Sequence, residues 1–182
     1  WKAMVALKKT GKVKSIGVSN FSPAHIDAIT KATGVPPAVN QIEAHPLLPQ
    51  DELVEYHKQK NIHITAYSPL GNNLRGETKI VDYPQVTEIA KKRNVNAGQV
   101  LISWGAKRGY SVIPKSVTNN RITSNFQQIE LSDEEYQAVT DIIKTAGKHV
   151  RYNTPYTYTP KWDINVFGEE VEKNATHQIK IE

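Results

Sequence analysis

The sequence has no cysteine among its 182 residues. That absence excludes a disulfide framework, a thiolate zinc site and a thiol nucleophile, and it agrees with an expected cytoplasmic location. Long hydrophobic runs are lacking as well. The apolar stretches fall far short of the roughly 20 residues that a spanning helix needs, so no membrane partner is expected. Lys2, Lys8 and Lys9 interrupt the short apolar stretch at the N-terminus, which argues against a secretory segment. Dense basic runs are missing too: 23 Lys and Arg against 18 Asp and Glu give a net charge of +5, with no five basic residues in a row. An anionic small molecule or an ordinary basic surface accounts for that excess, and nucleic acid is not an expected partner. The 6 histidines show neither HExxH nor paired-ligand spacing, so no metal centre is expected.

What is present is a moderately apolar chain, 38% hydrophobic and long enough to bury one core. One domain, or part of one, is expected. Residue 1 is Trp and opens directly into an apolar helical pattern, so the chain is expected to be a fragment truncated at its N-terminus.

Four short apolar runs rich in β-branched residues predict strands at 13–18, 38–42, 62–67 and 110–113. Between them, amphipathic stretches predict helices up to residue 10 and over 23–33, 51–60, 84–93 and 97–107. Ser22 before Pro23 reads as an N-cap with proline in the first turn, while Gly11 and Gly34 stand where helices should stop. Ser132 and Glu135 form a capping box ahead of a helix whose apolar side carries Tyr136, Val139, Ile142 and Ile143. Strand and helix alternating at roughly 25-residue intervals call for parallel strands with helical crossovers. Such strands, buried on both faces, should be apolar throughout. Polar residues cluster at their C-terminal ends, the rim at which α/β folds bind ligands.

Those rim segments carry a resemblance. Ile16, Gly17, Val18, Ser19, Asn20 and Phe21 come first, then Asn40, Gln41, Ile42 and Glu43, then Ala66, Tyr67, Ser68, Pro69, Leu70 and Gly71. The last set is Ile113, Pro114, Lys115, Ser116, Val117 and Thr118, followed by Arg121 and Asn125. In this order and spacing they resemble the aldo-keto reductase family from residue 1 to about 145, and the tail is similar to that of fungal glycerol dehydrogenases and glyceraldehyde reductases. The family's members form an eight-stranded TIM (β/α)8 barrel, and the four segments resemble its strands five to eight. The implied fold class is therefore α/β: the C-terminal half of a TIM barrel plus an irregular C-terminal tail. Residues 1–146 would form the half-barrel. Residues 147–182, rich in Tyr, Trp and Pro, would pack over it, with 173–182 expected to fray.

The resemblance implies an NADP-dependent oxidoreductase that reduces small aldehydes or ketones of the glyceraldehyde, glycerol or sugar-aldehyde type to alcohols. Its Asp, Tyr, Lys and His tetrad would lie upstream of this chain, which leaves catalytic residues here at none. The implied cofactor-binding residues fall into groups. Ser19, Asn20 and Gln41 would hydrogen-bond the nicotinamide carboxamide, or else simply cap strand ends. Tyr67 would stack on the nicotinamide ring, or serve as a core aromatic. Ser68, Leu70 and Asn72 belong to the stretch that wraps the pyrophosphate, and residues 71–78 read either as a closing loop or as a solvent loop. Lys115, Ser116, Thr118 and Arg121 would hold the 2′-phosphate, or form a solvated basic turn. Asn125 would face the adenine, although Ser124 stands where many relatives carry glutamate. Trp162 would line a substrate lid or cover the barrel, and His45 reads as a structural hydrogen-bonding residue.

The alternative is a catalytically inactive half-barrel that self-associates or binds cofactor weakly. An opened barrel exposes strand edges and inward apolar faces, so dimerisation or pairing with the missing N-terminal half is expected.

Overall fold

The computed structural model describes residues 1–71 and 77–181. Among them the chain runs α1 (Lys2–Lys9), β1 (Val18–Ser19), α2 (Pro23–Thr33), β2 (Val39–Glu43), α3 (Asp51–Gln59) and β3 (His63–Tyr67). It continues through α4 (Pro84–Arg93), α5 (Ala97–Lys107), β4 (Ser111–Ile113), α6 (Asn119–Asn125), α7 (Asp133–Thr140) and α8 (Ile142–Ala146) to the short strands β5 (Ile164–Asn165) and β6 (His177–Gln178). Two compact units result. One holds Trp1–Ile42, Asp51–His63 and Tyr152–Glu182; the other holds Glu43–Gln50 and Ile64–Arg151.

In the first unit β1 and β2 pair in parallel, with Val18 opposite Asn40 and Ser19 opposite Gln41. Gly17 makes that approach possible. A Cβ there would stand 2.3 Å from Val39 Cγ1 and 2.7 Å from the Val39 carbonyl oxygen, so only a residue without a side chain fits. The strand expected over 13–18 shortens to Val18–Ser19. Lys12, Lys14 and Ser15 are exposed and offer no apolar face for a sheet to bury, so the pairing begins only with the Ala38 N–H bond to the Ile16 carbonyl. α2 begins at Ser22, whose hydroxyl accepts from the His25 N–H while His25 Nδ1 accepts from the Ser22 N–H. A cap of this kind stabilises a helix by about 1 kcal/mol. The helix stops at Gly34, left-handed at φ 71°, and Tyr56 of α3 donates to Asp27 of α2. In the tail, buried Glu172 accepts from the N–H groups of Val166, Phe167 and Glu169, which closes a turn beside the parallel β5 and β6 pair.

In the second unit β3 and β4 pair in parallel, Thr65 opposite Ser111 and Tyr67 opposite Ile113. Ile64 and Ala66 are buried on one face of β3, while Thr65 and Tyr67 on the other are half-buried and Ile113 of β4 is exposed. The strands are therefore covered on one face rather than on both, as their uniform apolarity had suggested. α5 is the most deeply buried helix segment. Val100, Leu101, Ile102 and Trp104 are all at most 2% exposed, and each such side chain contributes about 1.5–3 kcal/mol of transfer free energy. Its N-cap, Asn96, accepts from the Gln99 N–H at 2.9 Å, and Gln99 Oε1 accepts from the Asn96 N–H in return. The helix expected after Ser132 has its capping box but is broken at Asp141 into α7 and α8, with Val139 and Ile142 fully buried. No helix among the described residues is long and apolar enough to cross a membrane.

Candidate functional site

Two groups of side chains stand at strand ends, one in each unit. In the first, the parallel register sets Ser19 beside Gln41, and the Gln41 carbonyl accepts both the Asn20 N–H at 3.0 Å and the Ser19 hydroxyl at 2.9 Å. The Ser19 proton is thereby committed, which leaves its oxygen as an acceptor. Asn20 sits in the left-handed region at φ 59°, a conformation that asparagine tolerates better than most residues. Its amide and that of Gln41 are half-buried and each supplies both donors and an acceptor.

In the second unit, Tyr67 ends β3 with its carbonyl accepting from the Ala44 N–H. Ser68 follows at φ 48°, and its carbonyl accepts from the Gly71 N–H at 2.8 Å, which turns the chain so that Leu70 and Gly71 reach a cavity of about 520 Å³. That volume lies within the usual range for small-molecule sites. Lys115, Ser116, Arg121 and Asn125 line the same cavity. Lys115 and Ser116 come from the loop after β4, and Arg121 and Asn125 from α6. Thr118 does not reach it; its N–H donates to Ser116 Oγ at 3.1 Å and so holds the loop that does. Ser68 and Tyr67 are likewise outside its lining. Asn72 lies outside the described residues, as does most of the loop expected to close over a ligand.

The cavity also takes in residues that sequence reasoning missed: Lys79, Asp82, and Asn96 with Gly98 at the start of α5. Three cations, Lys79, Lys115 and Arg121, therefore face one carboxylate, Asp82, an excess suited to an anion. The Asn96 and Gln99 capping box is a local pattern of the α5 start, and nothing in it links that helix to residue 115. Ser124 accepts a hydrogen bond from the Asn96 amide at 2.9 Å, so the helix cap and α6 are tied together beside the cavity. A Cβ on Gly98 would stand 3.1 Å from Asn96 Oδ1 and 3.8 Å from Leu70 Cδ1, so the bare glycine keeps this wall thin.

The remaining polar candidates are internal. His45 and Glu43 are fully buried and hydrogen-bonded at 2.9 Å. Trp162 is exposed in the tail of the first unit, its ring 5.6 Å from that of Tyr158. No group of three His, Cys, Asp or Glu able to hold a metal ion occurs among the described residues.

The family model described as "Aldo/keto reductase family" matches residues 1–144. The chain belongs to the aldo/keto reductase family. It is 49% identical to a D/L-glyceraldehyde reductase of Hypocrea jecorina over the whole of this chain and 55% of that protein. It is 46% identical to a glycerol 2-dehydrogenase (NADP(+)) of Saccharomyces cerevisiae over 81% of this chain and 47% of the relative. Among solved structures, aldose reductase from Giardia lamblia superposes with a TM-score of 0.81 at 33% identity, over 92% of this chain and 55% of that one. The chain thus spans about half the length of these relatives. Its parallel strands and crossover helices are the α/β architecture of part of the family's barrel.

Proposed function

We propose that this chain is the cofactor-holding portion of an NADP(H)-dependent reductase that converts small aldehydes or ketones, of the glyceraldehyde, glycerol or sugar-aldehyde type, to alcohols. The observation that carries the reading is the cavity in which Lys115, Ser116, Arg121 and Asn125 meet Leu70 and Gly71. Its chemistry suits an adenosine carrying a phosphate monoester. Arg121 offers a planar fork, Lys115 a mobile point charge and Ser116 a hydroxyl, while Asn125 supplies amide donors and an acceptor for a base edge. The glycerol 2-dehydrogenase relative is named for NADP(+), and the glyceraldehyde reductase relative for its substrate.

In this reading Asn20 and Gln41 orient the carboxamide of the nicotinamide, with Ser19 accepting from it, and Tyr67 offers its ring as a flat support. Ser68, Leu70 and Asn72 serve the pyrophosphate stretch. Thr118 positions Ser116. Bound NADPH supplies the hydride. Activation of the carbonyl oxygen belongs to the Asp, Tyr, Lys and His tetrad, carried by the part of the reductase with which this chain does not align. Residues 1–146 carry the cofactor contacts, and residues 147–182, with Trp162, cover the substrate side. A cytoplasmic location fits such an enzyme.

The test is glyceraldehyde reduction by the full-length reductase with Lys115→Ala and Arg121→Ala. Each removes a charge-assisted contact, so KM for NADPH should rise about tenfold or more while KM for NADH changes little. The chain of 182 residues alone should not turn over. Equal effects on both cofactors, or turnover by the isolated chain, would overturn the assignment.

A second reading is a half-barrel that self-associates and has no catalytic partner. It is favoured by Phe126 and Val117, which are 88% and 80% exposed, near half-exposed Ile122 on α6. That reading requires no affinity for NADPH.

A further inference from the structure

Asn40 is fully buried in the first unit, on the opposite face of β2 from Gln41, and its amide is the centre of a closed set of hydrogen bonds. Asn40 Oδ1 accepts from the Phe21 N–H at 3.3 Å, and Nδ2 donates to the Phe21 carbonyl at 2.8 Å. The same Nδ2 lies 3.0 Å from Nε2 of His57, a fully buried residue of α3. On its other side, His57 Nδ1 lies 2.6 Å from the Leu53 carbonyl oxygen. A carbonyl only accepts, so Nδ1 carries the ring proton and Nε2 is left as acceptor for the second amide hydrogen of Asn40. Reversing the Asn40 amide would set its NH2 against the Phe21 N–H and its oxygen against the Phe21 carbonyl. The tautomer of His57 thus selects the one orientation in which Asn40 grips both backbone groups of Phe21.

Phe21 directly follows Asn20, whose φ of 59° lies in the left-handed region that asparagine adopts more readily than most side-chain-bearing residues. Asn20 is tied on one side by its own N–H to the Gln41 carbonyl, and on the other through Phe21 to Asn40. Consecutive residues of β2, one on each face, therefore fix the same turn.

We propose that Asn40 and His57 are a positioning pair which sets Asn20 in the orientation that reads the nicotinamide carboxamide. The proposal rests on the role given to Asn20 above. Neither residue touches the cofactor in this scheme; both act through the turn. Burial pushes the His57 imidazole below its ordinary pKa, which agrees with the neutral tautomer that the hydrogen bonds require.

The test measures affinity of the full-length reductase for NADPH and for 2′,5′-ADP, which carries the adenosine and its 2′-phosphate but no nicotinamide. Asn40→Asp keeps the shape and loses the donor to the Phe21 carbonyl, and His57→Leu removes the acceptor. Each should weaken NADPH about tenfold, the order expected for an unmet polar partner, with 2′,5′-ADP unchanged. Asn20→Ala should do the same, and the double variant Asn20→Ala with Asn40→Asp should lose no more than Asn20→Ala. His57→Gln, which keeps a carbonyl acceptor, should recover most of the affinity and covers the case in which Asn40→Asp does not fold. If Asn20→Ala weakens NADPH while Asn40→Asp and His57→Leu do not, or if the losses add, the positioning pair is overturned and the cofactor reading stands. Equal loss of both ligands would show a role in folding and would also overturn it. If Asn20→Ala leaves NADPH binding intact, the role of Asn20 fails and the pair falls with it.

Discussion

Arg93 meets Glu135 with a two-pronged contact, Nε to Oε1 at 2.8 Å and Nη2 to Oε2 at 2.6 Å, while Lys92 stands 3.6 Å away. The hydrogen-bonded guanidinium holds the Glu135 carboxyl at a pKa of about 2, against an ordinary value of 4.5. Since the folded protein takes up that proton less readily than the unfolded chain, the stabilisation is complete above about 4.5 and disappears as pH falls toward 2. Arg93→Ala should destabilise the protein at neutral pH, and the loss of stability on acidification between about 4.5 and about 2 should become shallower. Urea denaturation followed across that range checks both, and an unaltered acid slope would show that Arg93 is not the cause. At this same scale, the site was partly legible in the sequence. Lys115, Ser116 and Arg121 lie close together along the chain and follow a predicted strand, so a motif could point to them. Lys79, Asp82 and Asn96 reach the cavity from other stretches of chain, and no local pattern joins them to it. The pairing of Asn40 with His57 depends on which faces of β2 and α3 are buried, and no spacing in the sequence announces it.

Elements were most legible where a local signal marks their ends. α2, α4 and α5 match the expected spans because Pro23 and Pro84 sit in first turns, Asn96 caps α5, and Gly34 and Asn94 take left-handed stops. α6 was missed because its Asn119–Asn125 stretch has no apolar periodicity and none of its residues is buried. β1 was overestimated because Val13 and Ile16 resemble strand residues, while the ladder depends on how near two backbones can come. Gly17 governs that approach. Gly17→Ala would press a methyl group into the Val39 side chain and backbone, so a loss of about 1–3 kcal/mol in urea denaturation is expected. A neutral effect would mean that β1 does not depend on the close contact.

For the whole molecule, the family relationship and the partial coverage of its relatives carry the most weight. An alternating strand and helix pattern reveals a parallel α/β protein, yet it cannot tell a complete barrel from part of one. That distinction came from which strand-end segments are present. In the second unit the face of β3 that carries Thr65 and Tyr67 is only half-buried, and Ile113 of β4 is exposed. The proposed cofactor site is chiefly electrostatic at its phosphate end, where Lys79, Lys115 and Arg121 line the cavity, and the attraction should weaken as salt shortens the reach of charge. The most direct measurement is calorimetric titration of the 182-residue chain with NADPH at ionic strengths of about 0.05 M and about 0.5 M, between which the Debye length falls severalfold. Binding heat that diminishes at the higher salt is the expected result. No heat at either ionic strength would contradict a cofactor-holding role and decide for a purely structural half-barrel, and an affinity indifferent to salt would contradict the electrostatic phosphate end.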